Sequence, residues 1–179
     1  MANCLLNKNI LKENVCGYSL LSVIDIYLAN YSQASVNVSG NSVTGFSTGT
    51  TFYHIEPSKN SASFTDELQV TDGGAKFRTQ TLNFSVDAGN YTPDMVEFVD
   101  DIALGRYVAV VKLANGKYIM LGRISPLEAT SSNVSGAATA TEASAIQVVM
   151  TSDGVETAMP LTDDAITALL ASVPTSTNG

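Results

Sequence analysis

The stretch RYVAVVKLANGKYIMLGRI, residues 106–124, sets two apolar runs on either side of Asn115-Gly116. Asn-Gly between such runs is the strongest short signal for a β-hairpin, because tight turns between twisted strands need residues that tolerate positive φ. Arg106 to Ala114 and Lys117 to Ile124 are therefore expected to pair antiparallel at the centre of a sheet.

Downstream of this hairpin the chain changes character. Residues Ala129 to Ser144 are almost all Ala, Ser, Thr and Gly, with a single Val and a single Glu. Ordering such a stretch costs roughly 1–2 kcal/mol of backbone entropy per residue, with little apolar burial to offset it. It reads as an extended arm over 129–144, mobile alone or ordered against a neighbouring molecule. Ala145 to Thr151, the Asp153-Gly154 turn and Val155 to Met159 then predict a second hairpin. Thr162 opens a short helix over 163–171 with Ile166, Leu169 and Leu170 as its apolar side, and residues 173–179 are expected to fray.

Upstream, Leu20 to Ala29 places Leu20, Ile24, Ile26 and Leu28 on one side and reads as a strand, although Leu20, Ile24, Tyr27 and Leu28 also fit a helical period. Short strands follow at Ser35 to Val38, Ser42 to Phe46 and Thr51 to Glu56, separated by Gly40, Gly49 and Pro57. Ser61 to Val70 and Ala75 to Val86 flank Asp72-Gly73-Gly74 and predict a hairpin, with Leu82, Phe84 and Val86 on its buried face. Residues 93–104 read as an amphipathic helix. Thr92 stands at its N-cap, Pro93 at its first position and Asp94 at the positive end of its dipole, and Gly105 is placed to end it in the left-handed conformation. Met95, Phe98, Val99 and Ile102 form its apolar stripe, and Asp100-Asp101 belong to its solvated side. The expected fold is mainly β, an antiparallel β-sandwich or barrel with one flanking amphipathic helix and a short C-terminal helix. One domain over 16–172 follows a leader over 1–15.

Composition excludes several classes of function. The 179 residues hold no run of 18 apolar residues, so no membrane insertion is expected. The start, MANCLLNKNILKENVCG, lacks the basic, apolar and small-residue blocks of an export signal. Cys4 and Cys16 are accordingly read as reduced thiols, and the Asn-x-Ser/Thr triplets at Asn30, Asn37, Asn83, Asn90 and Asn133 as unmodified. All nine Lys and Arg lie at or before Arg123, and the carboxylates after it, Glu128, Glu142, Asp153, Glu156, Asp163 and Asp164, account for six of the eight net negative charges. Such a segment repels phosphates, so sequence-specific nucleic-acid binding is not expected.

Catalytic equipment is sparse. His54 is the one histidine and sits between Tyr53 and Ile55 in an expected strand, with no acid or cysteine at a ligand-like spacing. Gly40, Gly45 and Gly49 lack the Lys-Ser/Thr ending of a phosphate loop, and no Gly-x-Ser-x-Gly elbow occurs. No enzyme activity, cofactor or metal is expected.

The order of these parts resembles the tail-tube and tail-ring proteins of tailed bacteriophages, in particular those of Bacteroidetes and crAss-like phages. The resemblance is carried by CGYSLLSVIDIYLAN (16–30), TFYHIEPSKNSASFTDEL (51–68), FRTQTLNFSV (77–86), PDMVEFVDDIALG (93–105) and VAVVKLANGKYIMLGRISPLEAT (108–130). Ile24-Asp25-Ile26 stands where relatives often have an Asp-Asn-Gly-Gly turn, and Ala-Thr-Ala-Thr-Glu (138–142) where a Gly-Asp-x-Asn-Gly turn would precede the last strands. The place in the tail therefore stays open between tube, completion ring and head–tail joint. What the resemblance implies is a virion structural subunit, assembled in the bacterial host cytoplasm, that closes with copies of itself into a six-fold or larger ring around a DNA channel and meets neighbouring tail or connector proteins. On that reading Ser131, Ser132, Asn133, Val134, Ser135, Gly136, Ala137, Ala138 and Thr139 are subunit-interface candidates, and Glu142, Asp153 and Glu156 face the channel. The alternative is a glycan-binding or host-surface-binding β-sandwich, against which most aromatics (Tyr27, Tyr53, Phe77, Phe84, Tyr107, Tyr118) fall in expected strands rather than loops.

Overall fold

A computed structural model describes residue 9 and residues 22–89, 91–139, 142 and 144–175. In chain order the elements are β1 (Val23–Asn30), β2 (Val36–Ser39), β3 (Ser42–Phe46), β4 (Tyr53–Ile55), β5 (Ser63–Val70), β6 (Lys76–Asp87), α1 (Pro93–Leu104), β7 (Arg106–Leu113), β8 (Tyr118–Leu121), β9 (Leu127–Ser135), β10 (Ala145–Gly154), β11 (Met159–Pro160) and α2 (Asp163–Ser172). Cys4, Cys16 and nearly all of the expected leader lie outside the described residues, as does the end of the tail.

The fold is mainly β and sandwich-like, and β7 is its hub. β7 pairs with β1 on one side; on the other it pairs with β8 at Ala109 to Lys112 and with β9 at Arg106 and Tyr107. One half of the large sheet is thus β4-β1-β7-β8-β11 and the other β9-β10-β6-β5, with every ladder antiparallel. The halves share one core, in which Leu28, Ala109 and Val111 join Leu82, Phe84, Val148 and Met150, and α1 adds Ile102 with the half-buried Met95, Phe98 and Val99. The opposite face of β1 and β7 carries a second core. There Tyr27, Ala29, Val108 and Val110 pack with Val43, Phe52, Ala165 and Leu169, under the β2–β3 hairpin and α2.

Covering on both faces explains why β1 and β7 show no alternation. Ile26, Tyr27, Leu28 and Ala29 are all buried, as are Val108 to Val111, which is the pattern of an internal strand. The helical period in the sequence around Leu28 is a by-product of that continuous apolar run.

Two of the three predicted hairpins, those at Asn115-Gly116 and Asp72-Gly73-Gly74, form, each with a different turn from the one expected. Only Gly116 and Gly74 take positive φ, at 82° and 81°, while Asn115 and Gly73 do not. Gly116 N donates to Leu113 O at 2.9 Å and Leu113 N to Lys117 O at 2.8 Å, and Gly74 and Thr71 repeat this pattern. These are three-residue loops, a turn followed by a left-handed glycine bulge.

Several expectations are corrected. The arm over 129–144 is not one irregular piece: its first part belongs to β9, paired with β10 from Glu128 to Ser135. The buried Ile146, Val148 and Met150 of β10 fix that ladder, so the small residues opposite need supply only backbone hydrogen bonds. Asp153-Gly154 makes no hairpin turn. β10 runs on to pair Gly154 with Arg78, and β11 crosses to the edge of β8. β2 and β3 form a separate two-stranded sheet. Gly105 follows α1 in extended conformation, at φ −85°, and is required for space, because a Cβ there would collide with the Tyr107 ring. Leu170 is half exposed, and Ala165 takes the buried place beside Leu169.

Candidate assembly surface

The predicted contact residues divide between a strand and a loop. Ser131 to Ser135 lie on β9 opposite Val149, Val148, Gln147, Ile146 and Ala145, after a bulge between Ala129 and Ser131. Opposed residues of an antiparallel pair point to the same face, so Ser132 and Val134 share the face of the buried Val148 and Ile146. Ser132 Oγ is buried without a hydrogen-bond partner among the described residues. From Asn133 onward the strand is exposed, and Gly136 to Thr139 continue as an exposed loop. Glu142 shapes that loop by accepting from Ala138 N at 2.9 Å, while its own N donates to Thr139 O at 3.1 Å.

β9 stands at one end of the layer β9-β10-β6-β5, and β5 at the other. Among the described residues β5 pairs only with β6, which leaves its outer edge without a strand. Leu68 and Val70 on β5 are 54% and 58% exposed.

The three predicted channel carboxylates are not equivalent. Glu142 and Asp153 are exposed, and Asp153 accepts from Thr79 Oγ1 at 2.6 Å. Glu156 does not present a free charge: its side chain is 13% exposed and ion-paired with Arg123, and its backbone carbonyl accepts from Gln80 Nε2 at 3.0 Å. The Glu156 carboxylate raises the Arg123 pKa against the opposing effect of burial. Glu156 thus contributes little free charge to any acidic surface, since the pair with Arg123 consumes its charge internally.

A feature missed in the sequence lies around β4. His54 Nε2 is 2.9 Å from Asp25 Oδ1, Lys112 Nζ is 3.7 Å from Asp25 Oδ2, and the His54 ring stacks on Tyr27 at 4.9 Å. Asp25 and His54 stand 29 residues apart, and only the β1–β4 ladder joins them. Tyr27 is 6% exposed, and burial, then the Asp25 charge, push its pKa up to about 12. Beside this cluster a cleft of about 410 Å³ separates β4 from α1, lined by Leu28, Ile55, Phe98 and Ile102 and by Asp94, Glu97 and Asp101. Tyr107 lines it too, donating from its hydroxyl to Asp101 O at 2.6 Å. Burial, then Asp101, raise the Tyr107 pKa.

Among the described residues no group of three or more His, Cys, Asp or Glu side chains is placed to hold a metal ion. No described helix is long and apolar enough to cross a membrane. No family model, no curated protein and no solved structure matches this chain.

Proposed function

We propose that this chain is a structural subunit that assembles with copies of itself into a ring of a bacteriophage tail or head–tail joint, where it lines or supports the DNA channel. The observation that carries this reading is the layer β9-β10-β6-β5, which ends in a strandless β5 edge on one side and in the exposed, small-residue end of β9 on the other. An unpaired edge is a template for another chain. Two different surfaces at opposite ends of one layer suit a head-to-tail contact, which gives a ring when the rotation closes. Gly136, Ala137 and Ala138 add little bulk and permit close approach of a neighbour's backbone. The acidic last third fits a wall that DNA must pass without adhering. Negative-stain microscopy and mass photometry of the purified full chain test the reading: closed particles of uniform subunit number are expected, and a strict monomer at micromolar concentration overturns it.

A second reading, a glycan-binding module, is favoured by one observation. Tyr53 on β4 is 53% exposed beside both His54 and the cleft, and an exposed ring next to polar groups is a sugar-stacking arrangement. Glycan-array binding that is lost in Tyr53→Ala, by a protein that stays monomeric, would select it.

A further inference from the structure

The cleft between α1 and β4 joins an apolar floor, Leu28, Ile55, Phe98 and Ile102, to a row of three carboxylates, Asp94, Glu97 and Asp101. The carboxylates stand at i, i+3 and i+7 on α1, within an arc of about 60° at roughly 3.6 residues per turn. Phe98 and Ile102 directly follow Glu97 and Asp101, so an apolar strip runs beside the acidic row. Across the cleft, Tyr53 and Ile55 share one face of β4, and Leu28 is the ladder partner of Tyr53 on β1. No Lys or Arg lines the cleft, and His54, its one basic side chain, is bonded to Asp25. Among the described residues none of the three carboxylates is ion-paired.

These surfaces select the chemistry of a ligand. The three carboxylates do not converge on a metal site, and a neutral apolar ligand would leave them unused. An elongated cation with methylene segments between its charges engages both the row and the floor. Along the helix axis Asp94 and Glu97 are about 4.5 Å apart, and Glu97 and Asp101 about 6 Å. Ammonium groups separated by three and by four extended methylenes stand about 5 and 6 Å apart on ordinary bond geometry. We propose that the cleft binds a linear aliphatic oligoamine, its ammonium groups on Asp94, Glu97 and Asp101 and its methylenes on the apolar floor.

Tyr53, half exposed beside the floor, adds a ring face that attracts a cation. The cleft volume of about 410 Å³ falls within the range of small-ligand sites, roughly 300–1,000 Å³. No lining residue belongs to β5 or β9, so the proposal stands or falls apart from the assembly reading.

Isothermal titration calorimetry of the full chain at low salt tests it, with spermidine, a triamine with one three-carbon and one four-carbon spacer, as the probe. Saturable single-site binding is expected. Glu97→Gln/Asp101→Asn should weaken it by ~3-fold or more, whereas Asp163→Asn/Asp164→Asn, which removes the same charge from α2, should leave it unchanged. All four side chains are exposed, so both variants should keep the fold. Hexaamminecobalt(III), of equal charge but without methylenes, should bind more weakly by ~5-fold or more. No saturable binding at millimolar spermidine, an unchanged affinity in the cleft variant, equal loss in both double variants, or equal affinity for the cobalt complex would each overturn the site.

Discussion

Arg123, between β8 and β9, grips Glu156, between β10 and β11, with Nε 2.9 and 2.8 Å from the two carboxylate oxygens and Nη2 in contact with one of them. The same crossing is held by Gln80 at Glu156 O and by Asp66 Oδ2, which accepts from Ala158 N at 2.7 Å. Gln80 Oε1 also accepts from Gly122 N at 2.8 Å. The joint therefore ties the break between β8 and β9 to the strap that leads into β11.

Glu156→Gln is expected to lower stability by about 1–3 kcal/mol, because it leaves a largely buried guanidinium without its counter-charge. Urea denaturation measures the loss. The reciprocal Arg123→Gln should cost a similar amount, and the double variant less than the sum of the two; strict additivity would show that the pair is not coupled.

Gly116 and Gly122 separate conformational from steric demand. Gly116 has φ +82° and open space around a would-be Cβ, whereas at Gly122, φ +73°, that atom would lie 3.0 Å from Leu127 Cγ and 3.2 Å from Tyr107 O. Gly116→Val is expected to cost on the order of 1 kcal/mol or more, and Gly122→Ala more than Gly116→Ala. Thermal melts of the three variants decide; a Gly116→Val melting temperature equal to the parent's would argue against the turn's control of the hairpin.

Above pH 10 the fold should weaken. Tyr27 keeps its proton to about 12 in the folded chain, against the usual 10.0 of a tyrosine in water, so its contribution is complete below pH 10 and is lost as pH rises toward 12. Between those limits the loss is at most roughly 1.4 kcal/mol per pH unit. Urea midpoints from pH 9 to 12 should fall less steeply in Tyr27→Phe, with Tyr107, whose pKa is also raised, contributing to the remaining slope.

Glu142→Lys/Asp153→Lys moves the formal charge from −8 to −4, since each change adds two, without touching the Arg123–Glu156 joint. This variant is expected to bind duplex DNA at low salt, with an affinity that collapses as salt rises. Fluorescence anisotropy no different from the parent's at low salt would remove support for an acidic channel wall.

Shortening residues 136–144 to a two-residue Gly-Ser turn preserves the β9–β10 ladder and should leave a folded chain, because loop closure changes by only about 0.6 kcal/mol per doubling of length. Sedimentation velocity should show loss of the assembled species. Full-size particles from the shortened chain would exclude this loop as the contact between neighbours.

Local chemistry was legible in the sequence to the extent that neighbours along the chain decide it. Asn115-Gly116 and Gly73-Gly74 announced their hairpins, Thr92-Pro93 and Thr162 marked the starts of α1 and α2, and Leu82 with Phe84 marked the buried face of β6. The sequence also showed the separation of charge at Arg123. Tertiary structure alone decided which edges met. β11 passes over its neighbour in sequence to reach β8, a choice made by the Arg123–Glu156 and Asp66–Ala158 contacts across 33 and 92 residues. The small residues of Ala129 to Ser135 became a strand because β10 supplied a partner already anchored in the core. The cleft beside β4 exists because a ladder brought His54 to Asp25 and the chain placed Phe98 and Ile102 of α1 opposite Ile55 of β4 and Leu28 of β1. A turn is fixed by the torsional preferences of a few adjacent residues, whereas a sheet edge or a cleft is fixed by which distant surfaces exclude water together, and no local pattern encodes that pairing.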